Sequence, residues 1–191
     1  VNHGKAAVFL DRDGTLSEEI DWVRRPEDLR LIPGAAKAVK RLRDAGYFVA
    51  LVTNQSAVAR GLISIEQLEA IHAHLQQLLA LEGARLDAIA YCPHHPTEGM
   101  SRWKLECECR KPKDGLLREL IARHGLDPAQ SFVIGDARRD LEAGASLGIP
   151  GILVRTGKGR REEALLTHPV IVADALPEAV ERIVGSTAQG R

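Results

Sequence analysis

Ala6-Ala7-Val8-Phe9-Leu10-Asp11-Arg12-Asp13-Gly14-Thr15 is a run of five apolar residues that breaks into two carboxylates, an arginine, a glycine and a hydroxyl. A short apolar run closed by a turn signal predicts a strand buried on both faces, as in a parallel sheet covered by helices. Asp11 and Asp13 then stand where the chain leaves the sheet, and their spacing lets both face one space. Taken alone, the pentapeptide from Asp11 to Thr15 is just as well an Asp/Gly turn.

Outward from this stretch, short apolar runs alternate with longer amphipathic ones. Helix is predicted over Ala35 to Asp44, strand over Tyr47 to Val52, and helix over Ile65 to Leu81. The pattern continues with strand at Leu86 to Tyr91, helix at Gly115 to His124, strand at Ser131 to Ile134 and helix at Arg138 to Leu147. Strand at Ile152 to Val154, strand at Val170 to Val172 and helix at Leu176 to Val184 complete it. Gly46, Gly125 and Gly148 stand where helices should end. This is the grammar of an α/β parallel sheet with helices on both faces, a Rossmann-like three-layer arrangement. One domain, residues 1–191, is expected for a chain of this length. A frayed tail is expected from Gly185 to Arg191.

Two segments interrupt the rhythm: residues 14 to 34 after the first strand and residues 92 to 112 after the third. Long ordered loops in compact domains are usually functional. Neither is large enough to be a cap domain.

Because ligands bind beyond the carboxyl ends of the strands in open parallel sheets, the residues there carry the chemistry. The second strand ends in Val52-Thr53-Asn54-Gln55-Ser56, offering donors that suit either a helix cap or an anion. The long loop after the third strand ends in Arg110-Lys111-Pro112, which by itself is a solvated basic turn. The fourth strand exits into Gly135-Asp136-Ala137-Arg138-Arg139-Asp140. Together these supply what phosphate-ester cleavage needs: a nucleophile, an acid for the leaving oxygen, and positive charge on the phosphoryl oxygens. A carboxylate approaching a phosphate dianion is repelled unless a divalent cation bridges Asp11, phosphate and Asp136, and Mg²⁺ suits an all-oxygen site.

The loop over residues 92–109 carries a second metal signature. Cys92-Pro93-His94-His95 is followed by Cys107-Glu108-Cys109, and these are all three cysteines of the chain. Cys92, His94, Cys107 and Cys109 match a closed tetrahedral Zn²⁺ site, with His95 as the alternative nitrogen donor. Such a site would order the loop and hold Arg110 and Lys111 over the reaction centre.

The four strand-end motifs, in this order, resemble the haloacid-dehalogenase-like superfamily of phosphatases, over residues 6 to about 155. The resemblance implies that the first and fourth strands are neighbours, with Asp11 as nucleophile and Asp13 as general acid and then base. It further implies that Thr53 and Lys111 stabilise the phosphoryl group, and that Asp136, Asp11 and the Asp13 backbone carbonyl bind magnesium. Asp140 is read as a supporting or helix-turn carboxylate. An acid at position 13 favours ester hydrolysis over dehalogenation, because an alkoxide leaving group needs a proton.

The zinc loop followed by Arg-Lys-Pro resembles the branch of histidinol-phosphate and heptose-bisphosphate phosphatases. The long spacer Pro96 to Glu106, the stretch Ala59-Arg60-Gly61 and Val154-Arg155-Thr156-Gly157-Lys158 look like its heptose side. That implies removal of the C7 phosphate of a bisphosphorylated heptose while the C1 phosphate stays, a step toward the nucleotide-activated heptose of lipopolysaccharide or surface glycans. Asn54, Gln55, Ser56, Arg60 and Arg110 are then expected at the substrate, with Arg110 reading the distal phosphate or sugar. Glu19-Ile20-Asp21-Trp22 lies where this branch contacts the sugar, often through Asp-x-Gly-Tyr. This chain also has Ala57 for a usual glycine and Ala137 for a frequent lysine; Arg138 is expected to replace that cation.

Lys plus Arg equals Asp plus Glu, at 26 each, so no global field draws the chain to polyanions. With aromatics at 4% and no basic track, a nucleic-acid 3′-phosphatase is disfavoured. No stretch approaches the roughly 20 apolar residues needed to cross a bilayer, and no leader peptide is evident. The expectation is a cytoplasmic monomer acting on a small sugar bisphosphate, with neither nucleic acid nor membrane as partner. Histidinol phosphate is the rival substrate. A non-enzymatic zinc-stabilised module is disfavoured because both Asp11 and Asp13 are present.

Overall fold

The computed structural model describes residues 4–99 and 102–189. Its strands are β1 (Ala7–Leu10), β2 (Phe48–Asn54), β3 (Ala88–Cys92), β4 (Phe132–Gly135), β5 (Gly151–Val154) and β6 (Ile171–Ala173). They form one sheet in the order β3-β2-β1-β4-β5-β6, with every neighbouring pair parallel. The helices are α1 (Ala35–Asp44), α2 (Ile65–Ala80), α3 (Gly115–His124), α4 (Arg138–Ala145), α5 (Gly159–Glu163) and α6 (Leu176–Gln189).

Alternation along the strands sorts the core into two layers. Val8 and Leu10 of β1 and Val49 and Leu51 of β2 pack with Val39, Leu42, Leu75 and Val180, from α1, α2 and α6. Ala7 and Phe9, with Ala50 and Val52, face Leu116, Leu117 and Leu120 of α3 and Ala143 of α4. This is the period of two expected of a strand covered on both sides.

The chain builds β1 to β3 in one direction, then returns to place β4 beside β1, so the crevice opens between the ends of β1 and β4. Leu10 pairs with Ile134, and the Asp11 amide still donates to the Ile134 carbonyl at 3.0 Å, which extends the ladder into the site. Among the described residues no inserted domain separates these elements, and no helix is long and apolar enough to cross a membrane.

Three local differences from the sequence reading have physical causes. The third strand starts at Ala88, because both backbone groups of Leu86 are taken by the Gln76 amide, at 2.9 and 3.0 Å. Helix α5 carries no hydrophobic period to announce it; its Arg155–Glu163 and Arg138–Glu162 ion pairs hold it to neighbouring elements. Helix α6 runs on to Gln189, through most of the segment expected to fray. No proline interrupts the stretch from Gly185 to Gln189. Residues 190 and 191 lie outside the described residues.

Candidate active site

A cavity of about 310 Å³ opens over the carboxyl ends of β1, β2 and β4. Asp11 and Asp13 line it, as do Thr53, Asn54, Gln55 and Ser56 from the end of β2. Glu19, Ile20, Asp21 and Trp22 form another wall, and the cations Arg12, Arg110, Arg139 and Lys158 also line the cavity. The two interrupting loops therefore meet over the ends of the strands.

Asp11 is 5% exposed, and the Lys111 ammonium lies 3.0 Å from its Oδ1. Lys111 sits beneath Asp11, outside the lining of the cavity, and also meets the Val52 carbonyl at 2.6 Å and Asp140 Oδ1 at 2.7 Å. The Asn54 amide clamps the Lys111 backbone, accepting from its N–H at 3.1 Å and donating to its carbonyl at 3.0 Å. The Lys111–Pro112 peptide is cis. Burial pushes the Asp11 carboxyl up, but Lys111 and then Arg139 outweigh it and hold the group below the ordinary carboxylate range. Asp11 is thus kept ionised, as a nucleophile requires. Burial would lower Lys111, and the charges of Asp11 and Asp140 keep it above its ordinary value.

Asp13 is gripped from one side. Arg12 Nε and Nη2 donate to its two oxygens at 2.9 Å each, and Gln55 Nε2 adds a bond of 2.9 Å to Oδ2. Gln55 also donates to Thr53 Oγ1 at 2.9 Å and accepts from Arg12 at 2.9 Å. Behind it, Arg12 Nη1 stands 3.4 Å from Nε2 of the buried His72. The sequence reading missed both Arg12 and His72. An arginine inside a buried strand exit had to find carboxylate or amide partners, and that was the available signal.

Asp11, Asp136 and Asp140 each bring an oxygen within 4.8 Å of the others. Asp136 is fully buried and its Oδ1 has no partner, while its Oδ2 accepts from the Lys158 amide at 2.8 Å. Burial, and next the charge of Asp11, push the Asp136 carboxyl up to about 8. Two glycines shape this corner: a Cβ on Gly14 would lie 2.1 Å, and one on Gly157 2.3 Å, from Asp136 Oδ2. An orphaned buried oxygen among hard carboxylates, walled by residues without side chains, fits a small divalent cation. Asp13 turns its carboxylate away toward Arg12, and Asp140 stands in the cluster while also capping the Ala137 amide at 3.0 Å. Asp140 therefore both positions Lys111 and starts α4.

In the loop after β3, the ligand atoms of Cys92, His94, Cys107 and Cys109 also lie within 4.8 Å of one another. Cys92 and Cys107 sulfurs are 3.5 Å apart, and His94 Nδ1 is 3.3 Å from Cys109 Sγ. His95 is not part of this cluster; its Nδ1 accepts from the Thr97 and Glu98 amides at 3.3 and 3.0 Å. The Cys92 thiol, then burial, push Cys109 far up, while burial lowers His94. Crowded thiols with a neutral imidazole are a donor set that a soft cation would deprotonate and close. The His94 carbonyl accepts from Arg110 Nη1 at 3.0 Å, tying this cluster to the cavity.

Two expectations are corrected. Arg60 does not line the cavity; it pairs with Glu98 and stacks behind Trp22, 5.1 Å from the ring centroid. Arg138 points away, paired with Glu162 at 3.2 Å, and Arg139 is the residue that faces Asp11. The α4 helix begins at Arg138, so the two arginines diverge by about 100°. Lys158, beyond the motifs read as catalytic, closes the rim through a 2.7 Å pair with Glu19.

The family described as HAD-hyrolase-like matches residues 108–179. The D-glycero-beta-D-manno-heptose-1,7-bisphosphate 7-phosphatase of Haemophilus ducreyi is 45% identical over 157 residues, 81% of this chain and 86% of that protein. The D-glycero-D-manno-heptose-1,7-bisphosphate 7-phosphatase of Thermosynechococcus vestitus is 43% identical across 94% of this chain and 95% of its own. Among solved structures, D,D-heptose 1,7-bisphosphate phosphatase from B. bronchiseptica, complexed with magnesium and phosphate, superposes with a TM-score of 0.86 at 37% identity. That match covers 95% of this chain and 99% of that one. The chain therefore belongs to the haloacid-dehalogenase-like hydrolases, in the family of the D-glycero-D-manno-heptose-1,7-bisphosphate 7-phosphatases.

Proposed function

We propose that this protein hydrolyses the C7 phosphate of D-glycero-D-manno-heptose 1,7-bisphosphate, releasing inorganic phosphate and heptose 1-phosphate. The observation that carries the reading is a relative of that activity, 43% identical over nearly the whole of both chains, combined with an ionised Asp11 that lines the cavity and is held from beneath by Lys111. Two further relatives of similar identity carry the same activity in their names. The product suits synthesis of a nucleotide-activated heptose for lipopolysaccharide or other surface glycans. The reading takes the enzyme as a cytoplasmic monomer whose single domain spans residues 1–191.

In this mechanism Asp11 attacks phosphorus, forming a phospho-aspartate as the bond to the sugar oxygen breaks. Asp13 gives the departing alkoxide its proton, and then takes one from the water that cleaves the acyl phosphate. Lys111 fixes the nucleophile's charge and orientation, and Thr53 and Asn54 line the approach. Mg²⁺, held by Asp11 and Asp136 with the Asp13 carbonyl, would supply the charge that offsets repulsion between carboxylate and phosphate. Zn²⁺ on Cys92, His94, Cys107 and Cys109 would fix the loop that carries Arg110 to the distal phosphate. Glu19, Ile20, Asp21 and Trp22 provide the sugar wall.

Phosphate release is measured with Mg²⁺ on both anomers of the heptose bisphosphate, on histidinol phosphate and on a 3′-phosphorylated oligonucleotide at equal concentration. The bisphosphate is expected to be preferred, and Asp11→Asn to abolish turnover. Preference for histidinol phosphate would overturn the substrate assignment, and an active Asp11→Asn variant would overturn the covalent mechanism.

A further inference from the structure

Nearly every cation around the cavity is already engaged. Lys111 lies within 3.0 Å of three oxygens, those of Asp11, Val52 and Asp140. Arg12 is held by Asp13 and Gln55, Lys158 by Glu19 at 2.7 Å, and Arg110 gives one donor to the His94 carbonyl. Arg138, one residue away, pairs with Glu162. Arg139 differs: among the described residues its side chain has no hydrogen-bond or ion-pair partner, and its Nε is buried without one.

A guanidinium presents five donors and is never deprotonated; Arg139 is half-buried, and its Nε–H, buried without an acceptor, is costly unless a ligand oxygen completes it. Arg139 lines the cavity and its charge falls on Asp140, Asp11, Asp136 and Glu19. After Lys111, it is the cation that most lowers Asp11. Arg110 lines the same cavity, and the two guanidinium charges act on each other, so an anion bound there would be attracted by both. We propose that Arg139 is a substrate-binding residue that donates to the oxygens of the phosphoryl group docked against Asp11. The forked, planar donor set suits a tetrahedral phosphate. Lys111, fully engaged below the nucleophile, then serves Asp11, and Arg139 serves the incoming dianion.

This inference rests on the phosphatase reading, and the experiment separates the two. Inorganic phosphate is titrated calorimetrically into the Mg²⁺-loaded protein, and KM for p-nitrophenyl phosphate is measured in parallel. Arg139→Ala is expected to weaken phosphate binding and raise KM about tenfold or more, with Arg139→Lys recovering part of the loss. Arg138→Ala, which removes the same charge one residue away, is expected to leave both unchanged. Wild-type protein that neither binds phosphate nor turns over would sink the phosphatase reading itself. Wild-type binding with Arg139→Ala within twofold of it would overturn only the Arg139 assignment. Weakened affinity for a bisphosphate with unchanged affinity for inorganic phosphate would also overturn it, by moving Arg139 to the second phosphate. Thermal unfolding of each variant checks the fold, and Arg139→Lys carries the comparison if the alanine variant does not fold.

Discussion

The Lys111 ammonium stands 3.0 Å from Asp11 Oδ1 with both side chains about 95% buried, and Asp140 lies 2.7 Å away on its other side. One positive charge therefore serves two buried carboxylates, with Asp136 a third within reach of both. Such a cluster is stable only while its cations are in place.

Lys111→Met is expected to lower turnover at least about 100-fold and to destabilise the fold by about 3–5 kcal/mol, because it leaves buried like charges unpaired. The stability loss should be largest with EDTA and partly reversed by Mg²⁺, which discharges the same cluster and binds only the folded chain. Urea denaturation with and without Mg²⁺ measures this. Equal losses in both conditions would show that the carboxylates share no cation site.

The glycine pair makes a prediction about metal without altering any ligand residue. Gly157 has φ +56, and its Cβ would lie 2.3 Å from Asp136 Oδ2 and 2.5 Å from the Gly14 Cα. Gly157→Ala must push Asp136 aside, so the Mg²⁺ concentration for half-maximal activity should rise by about tenfold or more. A magnesium titration of the initial rate reads this directly; an unchanged midpoint would remove Asp136 from the metal site.

For the cysteine cluster, Cys107→Ser is expected to strip zinc from the purified protein, as measured by elemental analysis. It should also reduce activity on the order of tenfold or more without touching a catalytic group. The route runs through the His94 carbonyl, which receives Arg110 Nη1 at 3.0 Å, and through Asn54, which holds the Lys111 backbone. Full activity in a zinc-free variant would show that the loop orders itself.

What the sequence made legible follows from chemistry that is local in the chain. Asp11, Asp13, Thr53 and Asp136 each lie at the end of an apolar run, so the strand pattern placed them at one edge before any contact was known. The cluster of Cys92, His94, Cys107 and Cys109 was legible because few side chains ligate softly and these are so close in sequence. Arg12 and His72 were hidden because their partnership spans 60 residues, and nothing local in the chain marks it. Arg138 and Arg139 could not be told apart from composition: the first turn of α4 decides which guanidinium faces Asp11 and which meets Glu162. Arg60 was misplaced for a similar reason, since a loop arginine beside a substrate wall can equally back an aromatic ring.

The His72–Arg12 contact gives acid stability a specific component. Burial, and next the Arg12 charge, push His72 down to about 3, against roughly 6.5 in an unfolded chain. Between those values the unfolded chain binds a proton at this position and the native one does not. Acidification therefore favours unfolding, and the stability His72 holds above pH 6.5 is lost progressively as pH falls toward 3, by up to about 1.4 kcal/mol per unit. His72→Gln offers an amide oxygen to Arg12 Nη1 without taking up a proton, so the variant should lose about 2 kcal/mol less than wild type between pH 6.5 and 5. Urea midpoints at the two pH values give the comparison. Parallel losses would mean that His72 is protonated in the native state, and that Arg12, with its grip on Asp13, is held from elsewhere.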